Sequence, residues 1–365
     1  MTFSELSLLP TLIQSLDEQG IVQPTEVQSR SIGPLLEGRS LLGVAETGSG
    51  KTLAYALPML HRLKTLELGG SSVSSARRPR ALVLVPGREL GEQVSRVLKG
   101  LTHHTRLRVR TVLGGSRKKV SRQNVAGNFE VLVATPGRLV QFLDSGEINL
   151  GDVRTVVFDE ADQMLDPGFL PVAQRIRAAC PGKVQLVMFS ATLPRALDTV
   201  VERLFPIQPV RVRTQGSQRI VSTLKTVNHT VTVGRRESLL EVLGQQPQMG
   251  TMVFVNTRAQ LDRVAGWLDE AGVSYASYRG QMDRQERRDN LASFRNAEVT
   301  VLLSTDLGGR GLDIDRVERV INAHLPKERD LYLHRVGRTA RAGREGLVVN
   351  LVTQRDHPLL AKLRR

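Results

Sequence analysis

The sequence predicts an α/β fold of two tandem units, each a mostly parallel sheet flanked by helices. Three observations lead there. Short β-rich apolar runs alternate with amphipathic stretches of helical spacing. The pattern occupies the first half of the chain and then repeats in the second. Finally, 365 residues exceed one ordinary domain and suggest about two or three.

In chain order, "LLGVAETGSGKT" (41–52) shows an apolar run, a glycine-rich turn and Lys-Thr opening the helical stretch "LAYALPMLHRL". "ALVLVP" (81–86), "VLVATP" (131–136), "TVVFDE" (155–160) and "QLVMFSAT" (185–192) read as buried parallel strands. Each ends where polar residues begin. "RELGEQVSRVLKGL" (88–101) has helical spacing. "LGGSSVSSARRPR" (68–80) is Gly/Ser-rich and basic, and reads as a flexible surface insertion. "FPIQPVRVRTQGSQRIVS" (205–222) has no periodicity, which puts a linker at 212–222 between units 1–211 and 223–365. The strands of the second unit are "TMVFVN" (251–256), "VTVLLST" (299–305), "RVINAHLP" (319–326) and "LVVNLVT" (347–353).

Formal net charge is +15. Residues 1–210 carry 25 Lys+Arg against 19 Asp+Glu, and residues 211–365 carry 26 against 17, so both halves are basic. A polyanionic partner such as nucleic acid fits this charge, and so does a merely solubilising surface. Aromatics are 4% of residues, so extensive base stacking is not expected and backbone contacts would have to dominate. The single cysteine, Cys180, forbids an intrachain disulfide and suits a reducing cytosol. The N-terminus lacks the pattern of a signal peptide, and no apolar run approaches the ~20 residues of a membrane span. The expected location is the cytoplasm, with no membrane partner.

"AETGSGKT" (45–52) has the form of a phosphate cradle. Glycines let backbone N–H groups curl around phosphate oxygens, Lys51 supplies charge, and Thr52 offers a hydroxyl to Mg²⁺. Gly48 and Gly50 are in place, while Ala45 stands where the general pattern has its first glycine. A cradle needs a metal ligand and a base. "VVFDEAD" supplies Asp159 for Mg²⁺ and Glu160 to orient and deprotonate an attacking water. The apolar strand before them places both at the sheet edge where ligands bind.

With "DEAD" at 159–162, the chain resembles the DEAD-box ATP-dependent RNA helicases, and the resemblance spans nearly all of it. Phe3 precedes "GIVQPTEVQ" (20–28) at the family's spacing for an adenine-reading motif. "PGREL" (86–90), "GG" (114–115), "TPGR" (135–138) and "SAT" (190–192) follow. The second half adds "VFVNT" (253–257), "QERR" (285–288), "STDLGGRGLDI" (304–314) and "HRVGRTARAGREG" (334–346).

The resemblance implies two RecA-like domains that close on ATP and Mg²⁺. By it, Phe3, Gln23 and Gln28 serve the adenine, with Gln28 bonding the base edge. Thr47, Gly48, Ser49, Gly50, Lys51 and Thr52 serve the phosphates, and Asp313 reaches the ribose. Arg338 and Arg341 act as arginine fingers, and His334 couples them to the carboxylates. Ser190, Thr192 and Asp162 couple nucleotide to RNA. Arg88, Gly115, Thr135, Arg138, Asn256 and Thr305 line a sugar-phosphate track. Such fingers can contribute ~10³–10⁵ in rate. The implied activity is RNA-stimulated ATP hydrolysis by a monomer that unwinds RNA locally. Two rivals stay open: an ATP-gated RNA clamp with little unwinding, and a DNA translocase.

Arg117, Lys118 and Lys119 either add nonspecific attraction for RNA or are a solvated run. Trp267 reads as core, His103–His104 as no metal site, and Cys180 as an unreactive thiol. The chain departs from the family pattern at small residues. Gly87 stands for threonine, Gly91 for alanine, Gly308 and Gly309 for Ala/Ser, and Ala340 for a glycine. No charged catalytic group is lost, so ATP chemistry is expected to survive.

Overall fold

Runs of four to seven residues, apolar in the interior of each sheet, form the strands, and mostly longer amphipathic stretches cross between them. A computed structural model describes residues 2–46, 48–73, 75–115, 118–164, 169–192, 195–214, 224–279, 282–306, 316–340 and 345–364. The chain divides into two units, Met1–Gln218 and Arg219–Arg365.

The first unit holds β1 (Leu41–Val44), β2 (Ala81–Leu84), β3 (Val109–Val112), β4 (Val131–Ala134), β5 (Thr155–Phe158), β6 (Gln185–Ser190) and β7 (Val210–Arg213). They form one sheet in the order β3-β4-β2-β5-β6-β1-β7. Every neighbouring pair is parallel. Its two faces are both apolar. Leu41, Val83, Val131 and Val133 pack into one core. The alternate residues Leu42, Leu82, Leu84 and Leu132 pack into another. A parallel sheet covered by helices on both faces needs this double burial. Gly43 is required in β1, because a Cβ there would meet Phe189 Cε1 at 2.2 Å.

The second unit holds β8 (Leu224–Thr230), β9 (Thr251–Val255), β10 (Tyr275–Tyr278), β11 (Val301–Thr305), β12 (Arg319–Asn322) and β13 (Gly346–Val352). Their order is β10-β11-β9-β12-β13-β8, again with parallel pairs. Met252 and Phe254 face one core, Val253 and Val255 the other. Trp267 is half-buried against the second of these.

Four strands had no counterpart in the sequence reading: β3, β7, β8 and β10. They are the four edge strands of the two sheets. Edge strands bury less and so carry polar residues, which breaks the apolar run.

The linker expected at 212–222 begins later. Val212 and Arg213 belong to β7 and pair with Gly43 and Val44. Residues 215–223 lie outside the described residues. Within the loop at 68–80 several described residues make defined contacts. Arg80 donates to the Ser71 and Ser72 carbonyls, and Asn128 Nδ2 donates to Val73 O at 3.1 Å. Arg78 pairs with Asp152 at 2.8 Å.

Candidate functional site

In the first unit, the described motif residues beyond residue 40 gather at or past the C-terminal ends of strands. Gly114 and Gly115 follow β3, Thr135 follows β4, and Arg88 follows β2. Asp159 and Glu160 follow β5, Ser190 and Thr192 close β6, and the 45–52 loop follows β1. Because the sheet is parallel, these ends share one edge, where ligands bind in open α/β sheets. Strand order puts the Gly114–Thr135–Arg88 group on one side of the carboxylates and the loop on the other.

The loop is built for a backbone cradle. Gly48 and Gly50 have φ of 84° and 89°, a region that favours glycine. Gly50 caps the helix Lys51–Leu68, whose first turn offers N–H groups to an anion. Lys51 is buried, and its Nζ donates to Ala45 O at 2.9 Å. Ser49 Oγ donates to Glu46 O at 2.7 Å. Thr52 is half-buried. Thr47 lies outside the described residues.

Gln28 sits behind this loop, 2% exposed. Its Oε1 accepts from Thr25 N–H at 2.9 Å, closing a capping box, and its Nε2 donates to Gly50 O at 3.0 Å. An amide has two donors and two acceptor sites, so one of each remains for a base edge. Phe3 is packed within the core of the first unit, and Gln23 is exposed.

The carboxylates are buried. Asp159 Oδ2 accepts from Tyr55 Oη at 2.8 Å, and Oδ1 from Glu160 N–H at 3.0 Å. Burial pushes Asp159 up to about 6, and the Glu160 charge adds to this; Lys51 and the Tyr55 bond oppose it. Burial likewise pushes the Tyr55 phenol well above its usual range. Glu160 holds φ of 51°, costly for a residue with a Cβ.

Asp159 and Thr52 offer hard oxygen donors. Among the described residues no group of three or more His, Cys, Asp or Glu could hold a metal alone. That donor set fits Mg²⁺, which takes one or two carboxylates and fills its shell with phosphate oxygens and water. Beside them, Asp162 Oδ2 accepts from Thr192 N–H at 2.9 Å and Oγ1 at 2.8 Å. Ser190 Oγ donates to Thr192 O at 2.6 Å. The structure thus brings the three expected coupling residues together.

On the far side, Thr135 Oγ1 accepts from Gly114 N–H at 2.9 Å. Thr135 also caps the helix Pro136–Asp144. Gly115 has φ of 72°, and a Cβ there would lie 3.8 Å from Arg88 Nη1. Arg88 pairs with Glu92 at 2.7 Å, and Arg138 donates to Gln141. Gly87 is the N-cap of the helix Arg88–Leu101, with φ −141° and no side-chain cap. Gly91 has a packing reason: a Cβ would meet Leu113 Cδ2 at 2.4 Å. Arg117 lies outside the described residues, and Lys119 is exposed.

In the second unit the organising residue is Arg335, 1% exposed, on the helix Arg329–Val336. Its five N–H groups all donate. Asp306 accepts at 2.5 and 2.7 Å, Asn256 Oδ1 at 2.7 Å, Asn322 Oδ1 at 3.1 Å and His324 O at 2.7 Å. Its guanidinium also lies over the Phe254 ring, 5.2 Å from the centroid. Asn256 is therefore engaged inside the unit, and its Nδ2 donates to Leu325 O at 2.9 Å. Thr305 ends β11 beside Asp306. Arg338 is buried, with Nε donating to His334 O at 3.2 Å. Arg341 and Asp313 lie outside the described residues, as do Gly308 and Gly309.

Sequence reasoning missed Tyr55, Arg335 and Asp306. Arg335 lies between His334 and Arg338 in the arginine-rich segment 334–346, where density of like charge hides an arginine that turns inward. Cys180 is buried, and its thiol is pushed up to about 11 by burial, as an unreactive cysteine requires. His104 pairs with Glu18 at 2.8 Å.

A glycine-rich loop between a parallel strand and a helix, with a buried carboxylate pair two strands away, is the arrangement of a P-loop nucleoside triphosphatase, here with tandem RecA-like units. Residues 25–200 match the DEAD/DEAH box helicase model, and residues 234–343 the helicase conserved C-terminal domain. The chain is 38% identical to the ATP-dependent RNA helicase SrmB of Escherichia coli, covering 100% of this chain and 81% of that protein. It is 32% identical to the DEAD-box ATP-dependent RNA helicase RhpA of Helicobacter pylori, covering 100% and 72%. The fold matches S. cerevisiae Dbp5 bound to RNA and ADP BeF3 with a TM-score of 0.87, at 27% identity, covering 100% of this chain and 92% of that one. The chain belongs to the DEAD-box RNA helicase family.

Proposed function

We propose that this protein couples ATP hydrolysis to local separation of base-paired RNA. The observation that carries the reading is one sheet edge holding a phosphate loop, a buried carboxylate pair and the Gly114–Thr135–Arg88 group. The Asp162–Thr192–Ser190 bonds stand between nucleotide and RNA sides. The similar proteins named for ATP-dependent RNA helicase activity, and the fold match to a protein bound to RNA and ADP BeF3, support it.

On this reading Lys51 exchanges the Ala45 carbonyl for phosphate oxygens, and Gln28 spends its remaining donor and acceptor on adenine. Mg²⁺, when bound through Asp159 and Thr52, neutralises phosphate charge. Glu160 takes the proton of the attacking water. Arg338 and Arg341 of the second unit meet the outer phosphate when the units close. Arg88, Gly115, Thr135 and Arg138, with Asn256 and Thr305, take RNA by phosphate and 2′-OH, which carry no base identity. Closure bends the strand and opens a few pairs; hydrolysis resets it.

Two variants test the site from its two ends. Lys51→Ala should lose nucleotide binding and turnover. Arg338→Ala should keep most ATP binding and lose turnover. Full RNA-stimulated hydrolysis by Arg338→Ala would remove the finger from the account.

A further inference from the structure

Three asparagines stand in register across neighbouring strands of the second sheet. Asn322 of β12 is opposite Asn350 of β13, which is opposite Asn228 of β8. Asn322 and Asn350 are fully buried. Their strand neighbours are apolar, Ile321 and Val349 among them, as the interior of a parallel sheet requires. Buried amides cost free energy unless every group is bonded, so a row of them calls for a reason.

The bonds run in one direction. Arg335 Nη1 donates to Asn322 Oδ1 at 3.1 Å. Asn322 Nδ2 donates to Asn350 Oδ1 at 2.9 Å. Asn350 Nδ2 donates to Asn228 Oδ1 at 3.0 Å and to Tyr332 Oη at 3.1 Å. Both amides between Arg335 and Asn228 turn their oxygens toward the guanidinium. Aligned amides polarise one another, and their acceptor ends favour the cation.

Tyr332 and Arg335 lie three apart on the helix Arg329–Val336, so they share a face. The row therefore pins that helix to the sheet at two points. Arg338 lies two residues past the helix and bonds back to His334 O. Its place follows from how the helix is seated. The other bonds of Arg335 reach Asn256 and Asp306, the latter beside Thr305.

We propose that Asn228, Asn350 and Asn322 form a positioning ladder that seats Arg335 and Tyr332 and so sets the place of Arg338 for ATP turnover. The proposal rests on the reading of Arg338 as a phosphate-facing arginine. Asn322 and Asn350 are closed off from solvent, so neither is open to nucleotide or RNA. Loosening the ladder lowers turnover and leaves ATP binding intact.

The test uses Asn350→Leu, near in size but lacking all three bonds, and Asn228→Ala, which removes only the outer rung. Asn228 is half-buried, so water can fill its place, and this variant carries the test if Asn350→Leu does not fold. RNA-stimulated ATP hydrolysis is measured on protein whose folding is checked by circular dichroism. Misplacement of a catalytic group by a fraction of an ångström should lower kcat about tenfold in Asn350→Leu and roughly twofold to threefold in Asn228→Ala. The KM for ATP should stay within about twofold. In an Arg338→Lys background, Asn350→Leu should lower kcat little further, because both changes act at one group. Unchanged kcat in the folded variants overturns the proposal, as does a full further loss in the Arg338→Lys background. Full turnover by Arg338→Ala alone overturns the finger reading first, and the ladder with it.

Discussion

Gly87→Thr restores a hydroxyl where the family pattern has one, and the structure says what it should do. Gly87 caps the helix Arg88–Leu101 with φ −141° and ψ 166°, extended backbone that any residue adopts. A Cβ there would come no closer than 3.8 Å, to Glu89 Oε2, so the new side chain enters open space. Threonine and glycine are nearly equal as N-caps, so stability should change by only a few tenths of a kcal/mol. A threonine hydroxyl can accept from a helix N–H and still donate to a phosphate. One such bond contributes about 0.5–1.5 kcal/mol, up to roughly tenfold in affinity. Titration of labelled single-stranded RNA, with a non-hydrolysable ATP analogue at one fixed salt concentration, should show severalfold tighter binding by Gly87→Thr. The thermal midpoint should hardly move. Equal or weaker binding would show that Arg88 and the helix N–H groups already saturate that phosphate, and that Gly87 is neutral.

Glu160→Gln keeps shape and leaves Asp159 to hold Mg²⁺, so it should trap ATP and RNA together with turnover abolished; unaltered turnover would count against Glu160 as the base. Burial raises the Asp159 pKa from 3.8 to about 6, so the folded protein holds that proton more tightly than the unfolded chain does. This contribution to stability is full below about pH 4 and is lost as pH rises through about 6. Asp159→Asn should therefore stabilise the nucleotide-free protein more at roughly pH 7.5 than at roughly pH 4.5, and equal shifts in unfolding midpoint would contradict the burial argument. Ala340 holds φ of 56°, where a Cβ is disfavoured by about 1–2 kcal/mol. Ala340→Gly should raise the melting midpoint of the second unit by about 2–4 °C; a lowered midpoint would show that unfolded-state entropy outweighs the strain.

The central strands were legible because they are buried on both faces. "ALVLV" and "VLVAT" are near-continuous apolar runs, and no helix of that length would be stable there. The edge strands were not. β7 reads Val-Arg-Val-Arg and β3 reads Val-Arg-Thr-Val, polar enough to pass for loop. The phosphate loop and the carboxylates were legible because each is local in sequence. Tyr55 was invisible, since its partner Asp159 is 104 residues away and no local pattern joins them. Arg335 stood between residues that the family resemblance marked for the nucleotide, His334 and Arg338, and drew no role of its own. Its actual partners, Asp306, Asn256 and Asn322, come from three other strand ends that only the sheet brings together. Asn322 and Asn350 read as ordinary strand residues for the same reason, and Asn228 lay in an edge strand that the sequence did not show.

Strand separation is the most direct measure of the central claim. A short RNA duplex with a labelled strand is incubated with the protein and ATP, with ATP replaced by a non-hydrolysable analogue, and with Lys51→Ala in place of the unmodified chain. The account predicts that the labelled strand is released with ATP, and that Lys51→Ala releases none. RNA-stimulated ATP hydrolysis with stable RNA binding and no release of the strand would contradict it, and would make the chain an ATP-gated clamp.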